Sequence, residues 1–271
     1  MAGRIKIWAA LGISMAVLLF FYIFILPGII KQQLISIIAQ GNPGYSVTIG
    51  GAAAGFPLGV RLSDLKMEKG GQTAFEARKL NVHADIPKLC GGSLSLAIDS
   101  ALYGGRLKGS VDYEGTSASR GPAAWRFTFE NIKADECGLL RFGKRLTGKL
   151  SGFVEMAGEA GRTSQGKGRI EFTLVNGTLP FSAGSLGIAS LPFEKLEGAA
   201  VLDGGIMDIS RMTIKDKSVN GSFQGRVSLD GKSFAQSRLW LQGHLTFSSD
   251  QGNRQTVIIA GTVSEPSLST L

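Results

Sequence analysis

The stretch Gly104–Gly115, "GGRLKGSVDYEG", sets the terms on which the rest of the chain reads. Glycines bracket it. Between them Leu107, Gly109, Val111 and Tyr113 alternate with Lys108, Ser110, Asp112 and Glu114. A period of two sends successive side chains to opposite faces of a strand. The stretch therefore has one mostly apolar face and one wet face. Nothing in it can cut, ligate or oxidise.

The same pattern recurs in both directions along the chain. Leu94, Leu96 and Ile98 alternate with Ser95, Ala97 and Asp99. Trp125, Phe127 and Phe129 alternate with Arg126, Thr128 and Glu130. Ile170, Phe172 and Leu174 flank Glu171 and Thr173, and Tyr45, Val47 and Ile49 flank Ser46 and Thr48. "GKLSGFVEMAG", "GSFQGRVSLDG" and "LWLQGHLTFSSDQG" follow the same rule. One apolar and one polar face is the mark of antiparallel sheet. The expected inner face is Leu94, Leu96, Ile98, Val111, Tyr113, Trp125, Phe127, Phe129, Ile170, Phe172 and Leu174. Asn176-Gly177, Asp203-Gly204, Asn220-Gly221 and Asp230-Gly231 read as hairpin turns, because these dipeptides accept positive φ. Single helical turns are expected at Cys137–Phe142 and Ser182–Leu186. A one-faced sheet must cover its apolar side. It can fold as a sandwich, close as a barrel, or curl into a trough that holds something apolar. Alternation alone does not choose among them.

The chain has 271 residues, 44% hydrophobic and 18% charged, which excludes a disordered polymer. Its 38 glycines stand between alternating runs and read as turns and bulges. The formal net charge is +8. The basic residues fall singly, at Lys66, Arg78, Lys108, Arg126, Lys149, Arg169 and Arg211. With no Lys/Arg block and no basic stripe interleaved with aromatics, nucleic acid is not an expected partner. Anionic lipid head groups or an acidic partner suit the charge better.

Residues Ile7–Ile30, "IWAALGISMAVLLFFYIFILPGII", contain no charge. As a helix they would span roughly 36 Å, enough to cross a hydrocarbon core of about 30 Å. Ile7, Trp8, Leu18, Phe21 and Ile30 mark the expected anchor, with Trp8 at the interface. Arg4 and Lys6 precede it and place the N-terminus in the cytoplasm. A cleaved signal peptide would need a shorter apolar run and a small-x-small site. The expected organisation is a cytoplasmic stub and transmembrane anchor over 1–30, a juxtamembrane helix and linker over 31–44, and one exported all-β domain over 45–271. The helix is read from Ile30, Leu34, Ile37 and Ile38 on one face, stopped by Gly41 and Pro43.

Signals of chemistry are weak throughout. Gly138–Arg145, "GLLRFGKR", spells a phosphate loop but puts Arg145 where Mg²⁺ requires Ser or Thr. There is no G-x-S-x-G elbow. The two histidines, His83 and His244, sit in strand-like sequence without clustered acids, so no metal is expected. Asp64 and Glu68 read as decoration of an exposed strand. Cys90 and Cys137 are candidates for a disulfide in an oxidising compartment, although two half-buried thiols is the plainer reading. No catalytic residue, cofactor or metal is expected.

Gly55–Val111, beginning "GFPLGVRLSDLKMEKGG", resembles the anchored N-terminal half of the type II secretion system protein N family, and more widely the AsmA-like inner-membrane proteins. Leu146–Gly158, "LTGKLSGFVEMAG", is similar to those families' L-x-G-x-L-x-G strand. Gly166–Pro180 is similar to their strand ending N-G-x-L, Phe193–Gly231 to the repeat that follows, and Ile258–Leu268 to their closing G-T-x-x-x-P strand. The resemblance implies a mainly β fold. It consists of an N-terminal transmembrane helix and then a curled antiparallel sheet, as an AsmA-like groove or open sandwich. It also implies a non-enzymatic, single-pass inner-membrane component of type II secretion facing the periplasm, acting in assembly or protein contact. The implied partners are inner-membrane platform subunits and the outer-membrane secretin. The AsmA-like kinship implies an alternative, a lipid-binding or lipid-transport groove holding phospholipid.

Overall fold

Alternation dictates strands from Tyr45 onward, and strands are what form. The computed structural model describes residues 28–29, 31–32, 35–36, 44–55, 58–69, 71–113, 122–137, 141–142, 144–159, 166–181, 189–230, 236–248 and 254–271. The expected anchor residues Ile7, Trp8, Leu18, Phe21 and Ile30, with Arg4 and Lys6, lie outside them. So does the expected turn over residues 182–186. Among the described residues no helix is long and apolar enough to cross a membrane. Residues 31–32 and 35–36 of the expected juxtamembrane helix are helical, as are residues 28–29 before it.

The contacts fall into two compact units, Met1–Ala84 and Asp85–Leu271. In the first, β1 (Tyr45–Gly55), β2 (Gly59–Lys69) and β3 (Gln72–Ala84) form an antiparallel meander. Ile49, Leu62, Leu65 and Ala77 are the buried hydrophobic residues among those described there. Leu62 and Leu65 are three apart, yet both face inward. Asp64 lies between them with φ of 51°, and this left-handed residue reverses the strand's faces.

The second unit opens with a short helix, α1 (Ile86–Cys90), capped by Asp85, whose side chain accepts the Lys88 N–H at 3.3 Å. Its strands are β4 (Leu94–Leu102), β5 (Gly105–Tyr113), β6 (Pro122–Lys133), β7 (Arg141–Phe142), β8 (Lys144–Arg145), β9 (Lys149–Glu159) and β10 (Lys167–Pro180). They continue with β11 (Ser190–Asp203), β12 (Ile206–Lys215), β13 (Val219–Ser228), β14 (Arg238–Phe247), β15 (Arg254–Thr262) and β16 (Pro266–Thr270). β7 and β8 pair with each other. The others form one sheet in chain order, each antiparallel to the next.

The core lies over β10–β16. Leu174, Leu196, Met212, Ile214, Phe223, Leu241, Leu245, Val257, Ile259 and Leu268 form one cluster on the apolar face. Among the described residues no helix is laid on this face. The sheet's own side chains bury it, with Ala134, Phe181, Leu191 and Phe193 packed in from one end. Asn176 makes that inward turn possible. Its φ of 53° reverses the faces of β10, and beside it β11 exposes Glu194 and Lys195 in succession before burying Leu196.

Two expectations about punctuation need correction. Asn176-Gly177 and Asn220-Gly221 lie inside β10 and β13 and are not turns. Hydrogen-bonded neighbours on both sides outweigh the local turn preference. A hairpin does form beside Asp203, one residue later than expected, with Asp203 paired to Ile206 and Gly204 and Gly205 both at positive φ in the turn. Glycine is also not only punctuation. Gly109, Gly198 and Gly243 stand mid-strand, where a Cβ would collide with the rings of Phe127, Phe172 and Phe223 respectively. Each ring lies across the bare backbone of a neighbouring strand and covers it.

This packing separates the filled part of the face from the rest. Phe223→Ala should cost about 3–5 kcal/mol in urea unfolding, because Phe223 is 3% exposed. Phe127→Ala, at a half-exposed site, should cost roughly 1 kcal/mol. Gly198→Val should lose about 1–3 kcal/mol by displacing Phe172. Equal losses at Phe127 and Phe223 would contradict the division.

Candidate functional site

The register gathers the expected inner face onto one side of the sheet. Leu96, Val111, Trp125 and Met156 follow one another across β4, β5, β6 and β9. Ile98, Gly109, Phe127, Val154 and Ile170 form the next row, continuing into β10. Phe129, Gly152, Phe172 and Gly198 form the third, and Leu94 stands opposite Tyr113. Val154 and Met156 complete the face without having been singled out, although "GFVEMAG" alternates as plainly as the rest.

Burial divides this set. Leu174 is buried in the core cluster. Leu94, Leu96, Ile98, Val111, Tyr113, Trp125, Phe127, Phe129, Ile170 and Phe172 are all only half-buried. The apolar face is therefore filled by its own side chains over β11–β16 and left partly open over β4–β6, β9 and the first half of β10. Among the described residues these rows bring no acid, base or thiol to the open part. Tyr113 and the buried Ser100 supply its hydroxyl groups.

The charges lie on the opposite face. Arg126, Glu155 and Arg169 stand directly opposite one another on β6, β9 and β10, with Nε–O distances of 2.7 Å on both sides of the carboxylate. The Arg169 guanidinium also lies 5.0 Å from the Phe153 ring centre. Hydrogen bonds from Arg169 and then Arg126 hold the Glu155 carboxyl below its ordinary value. At the strand ends, Lys88 Nζ meets Asp112 at 2.7 Å and Ser95 at 3.4 Å, which lowers the Asp112 carboxyl. Recesses of about 530 and about 400 Å³ open around these groups. Their acids are already matched by cations, which is an arrangement for holding strands in register, not for moving a proton.

The remaining candidates do not converge. His244 Nδ1 is 3.2 Å from Thr256 Oγ1, beside a polar surface recess of about 340 Å³ that Arg211 and Gln242 also line. His83 packs against Gly55 and Gly59 in the other unit. Cys90 is an exposed thiol and Cys137 a buried one, and they are not bonded to each other. Asp64 is exposed at its strand reversal, and Glu68 pairs with Lys66. Among the described residues no three His, Cys, Asp or Glu side chains are grouped to hold a metal ion. Residues 138–140 and 143 of "GLLRFGKR" lie outside the described residues, and the remainder forms the β7–β8 hairpin.

No protein-family model matches the chain, and no curated protein or solved structure matches it either.

The Glu155 ladder fixes the sign of one pH effect. Its folded carboxyl titrates below the ordinary 4.5. The stability it lends is therefore present above that value and is lost as the pH falls through the lower folded one. Melting temperature followed from about pH 6 to about pH 3 should fall less steeply for Glu155→Gln than for the parent. An unchanged slope would contradict the ladder.

Proposed function

We propose that this chain is a non-catalytic component of the type II secretion machinery, anchored in the inner membrane. Its strands face the periplasm, and it works by contact in assembly. The observation that supports contact is the open part of the trough. Ten largely apolar side chains are held there half-buried on an antiparallel sheet, with no acid, base or thiol among them. A surface of this kind gains free energy when something apolar covers it, at about 25 cal/mol per Å². The assignment to secretion rests on the resemblance of Gly55–Val111 and the strands after it. The expected partners remain the inner-membrane platform subunits and the secretin.

The same surface favours a second reading, an AsmA-like groove for phospholipid. A run of aliphatic and aromatic residues with few hydrogen-bonding groups suits an acyl chain, whose burial is worth about 0.8 kcal/mol per CH₂. The half-exposed Trp125, Phe127 and Ile170 would line its path.

Two measurements separate these readings. Deleting the gene should abolish or sharply reduce exoprotein in the medium, and a chain carrying Phe127→Asp and Ile170→Asp should fail to restore it. Full secretion without the gene would refute the first reading. Native mass spectrometry of the chain extracted in mild detergent should show bound phospholipid if the second reading holds. A clean unliganded mass would refute that one.

A further inference from the structure

Lys133, Lys149, Lys195, Lys215 and Arg254 lie far apart in sequence. The register brings them into a single row. Lys133 stands directly opposite Lys149. Lys149 stands opposite Val175, and Val175 opposite Lys195. Lys195 stands opposite Lys215. The row then continues through Asn220 and Thr246 to Arg254. All five cations are exposed. The residues beside Lys133, Lys149, Lys195 and Lys215 along the strands, Ile132, Leu150, Leu196 and Ile214, point the other way, into the apolar face. At about 4.8 Å per strand the row runs roughly 34 Å across the sheet.

Such a row works against the sheet that carries it. Like charges directly opposite each other on neighbouring strands are destabilising, and two such pairs occur here, Lys133 with Lys149 and Lys195 with Lys215. Nearby acids answer only part of the charge. Lys133 Nζ meets Glu136 at 2.7 Å and Lys195 Nζ meets Glu197 at 2.8 Å. Glu197 also feels Lys215 and Arg211, which help keep its carboxyl low. The row itself contains no acid, and among the described residues Lys149, Lys215 and Arg254 hold no ion pair. Elsewhere on this face cations stand opposite acids, as in Arg126–Glu155–Arg169.

The row also has a place in the fold. Lys133 and Lys215 end β6 and β12, while Lys149 and Arg254 open β9 and β15. All of these residues belong to one end of the sheet. We propose that this row docks the sheet on an anionic phospholipid surface, whose phosphates supply the negative charge the row lacks. A bilayer fits better than a nucleic acid, because no aromatic side chain stands in the row to stack a base. A line of five cations spread over eight strands suits an extended surface of head groups, each with its own phosphate. The inference does not depend on the secretion reading, since it uses the opposite face of the sheet.

The test uses the full chain held in nanodiscs of phosphatidylcholine and captured on a sensor. Vesicles of phosphatidylcholine with about a third phosphatidylglycerol are passed over it, alongside vesicles of phosphatidylcholine alone. The anionic vesicles should be retained and the neutral ones not, with retention falling as salt rises. Replacing Lys149, Lys215 and Arg254 together by Gln should weaken retention about fivefold per cation, roughly a hundredfold in all. The melting temperature of that variant should be unchanged or higher, because like-charge repulsion has been removed. A control carrying Lys108→Gln and Arg238→Gln removes charge away from the row and should change retention less than about threefold. Equal retention of neutral vesicles, or per-cation losses as large in the control as in the row variant, would overturn the proposal. So would tighter binding of polyglutamate than of anionic vesicles, which would assign the row to an acidic protein.

Discussion

The whole arrangement depends on one constraint, that an antiparallel sheet with a continuous apolar face must keep that face from water. In the second unit no helix among the described residues does this work. The sheet does it with its own side chains and by turning Phe181, Leu191 and Phe193 inward at one end. Such packing needs backbone that can be approached closely and rings that can cover it. Gly109 beneath Phe127, Gly198 beneath Phe172 and Gly243 beneath Phe223 meet both needs. The glycine content is therefore part of the packing as well as of the turns.

The constraint is satisfied unevenly, and the candidate function follows from that. Over β11–β16 the face is filled by Leu202, Ile214, Leu245 and Val257, which are almost wholly buried. Over β4–β6 and β9 side chains of the same kind, among them Leu96, Val111, Trp125 and Phe127, are only half-buried, although Leu102, Ala123 and Ile132 are buried. Keeping them so costs hydrophobic free energy that an occupant would recover. The outer face divides in a comparable way. Some of its charges are matched across strands, as Glu155 is by Arg126 and Arg169, whereas the row from Lys133 to Arg254 sets cations opposite cations, with acids beside Lys133 and Lys195. Both uneven regions offer a surface that something else can complete, and neither offers a reacting group.

Much of this was legible in the sequence. Period two gave strands and faces directly, because side-chain direction in a strand depends only on parity. The set from Leu94 to Leu174 lands on one face for that reason. Parity fails where one residue takes positive φ. Asp64, Asn131 and Asn176 reverse or offset their strands, and no local pattern marks them apart from a turn-forming residue. The helix Ile86–Cys90 was missed because five residues are too few to show a period, although Asp85 followed by Pro87 is a start signal. How far the trough is filled was not legible at all, since burial depends on curvature, which accumulates over many strands. The cation row was hidden for a related reason. Its members look scattered until the register is known.

The most direct test of the central claim is photo-crosslinking in living cells, with a benzoylphenylalanine placed at Phe127 in the open part of the trough or at Phe223 in the filled part. If the chain acts by contact through its open apolar face, position 127 should give an adduct to a protein or a lipid. Position 223 should react only within the chain. Adducts at neither position, or the same adducts at both, would contradict the account.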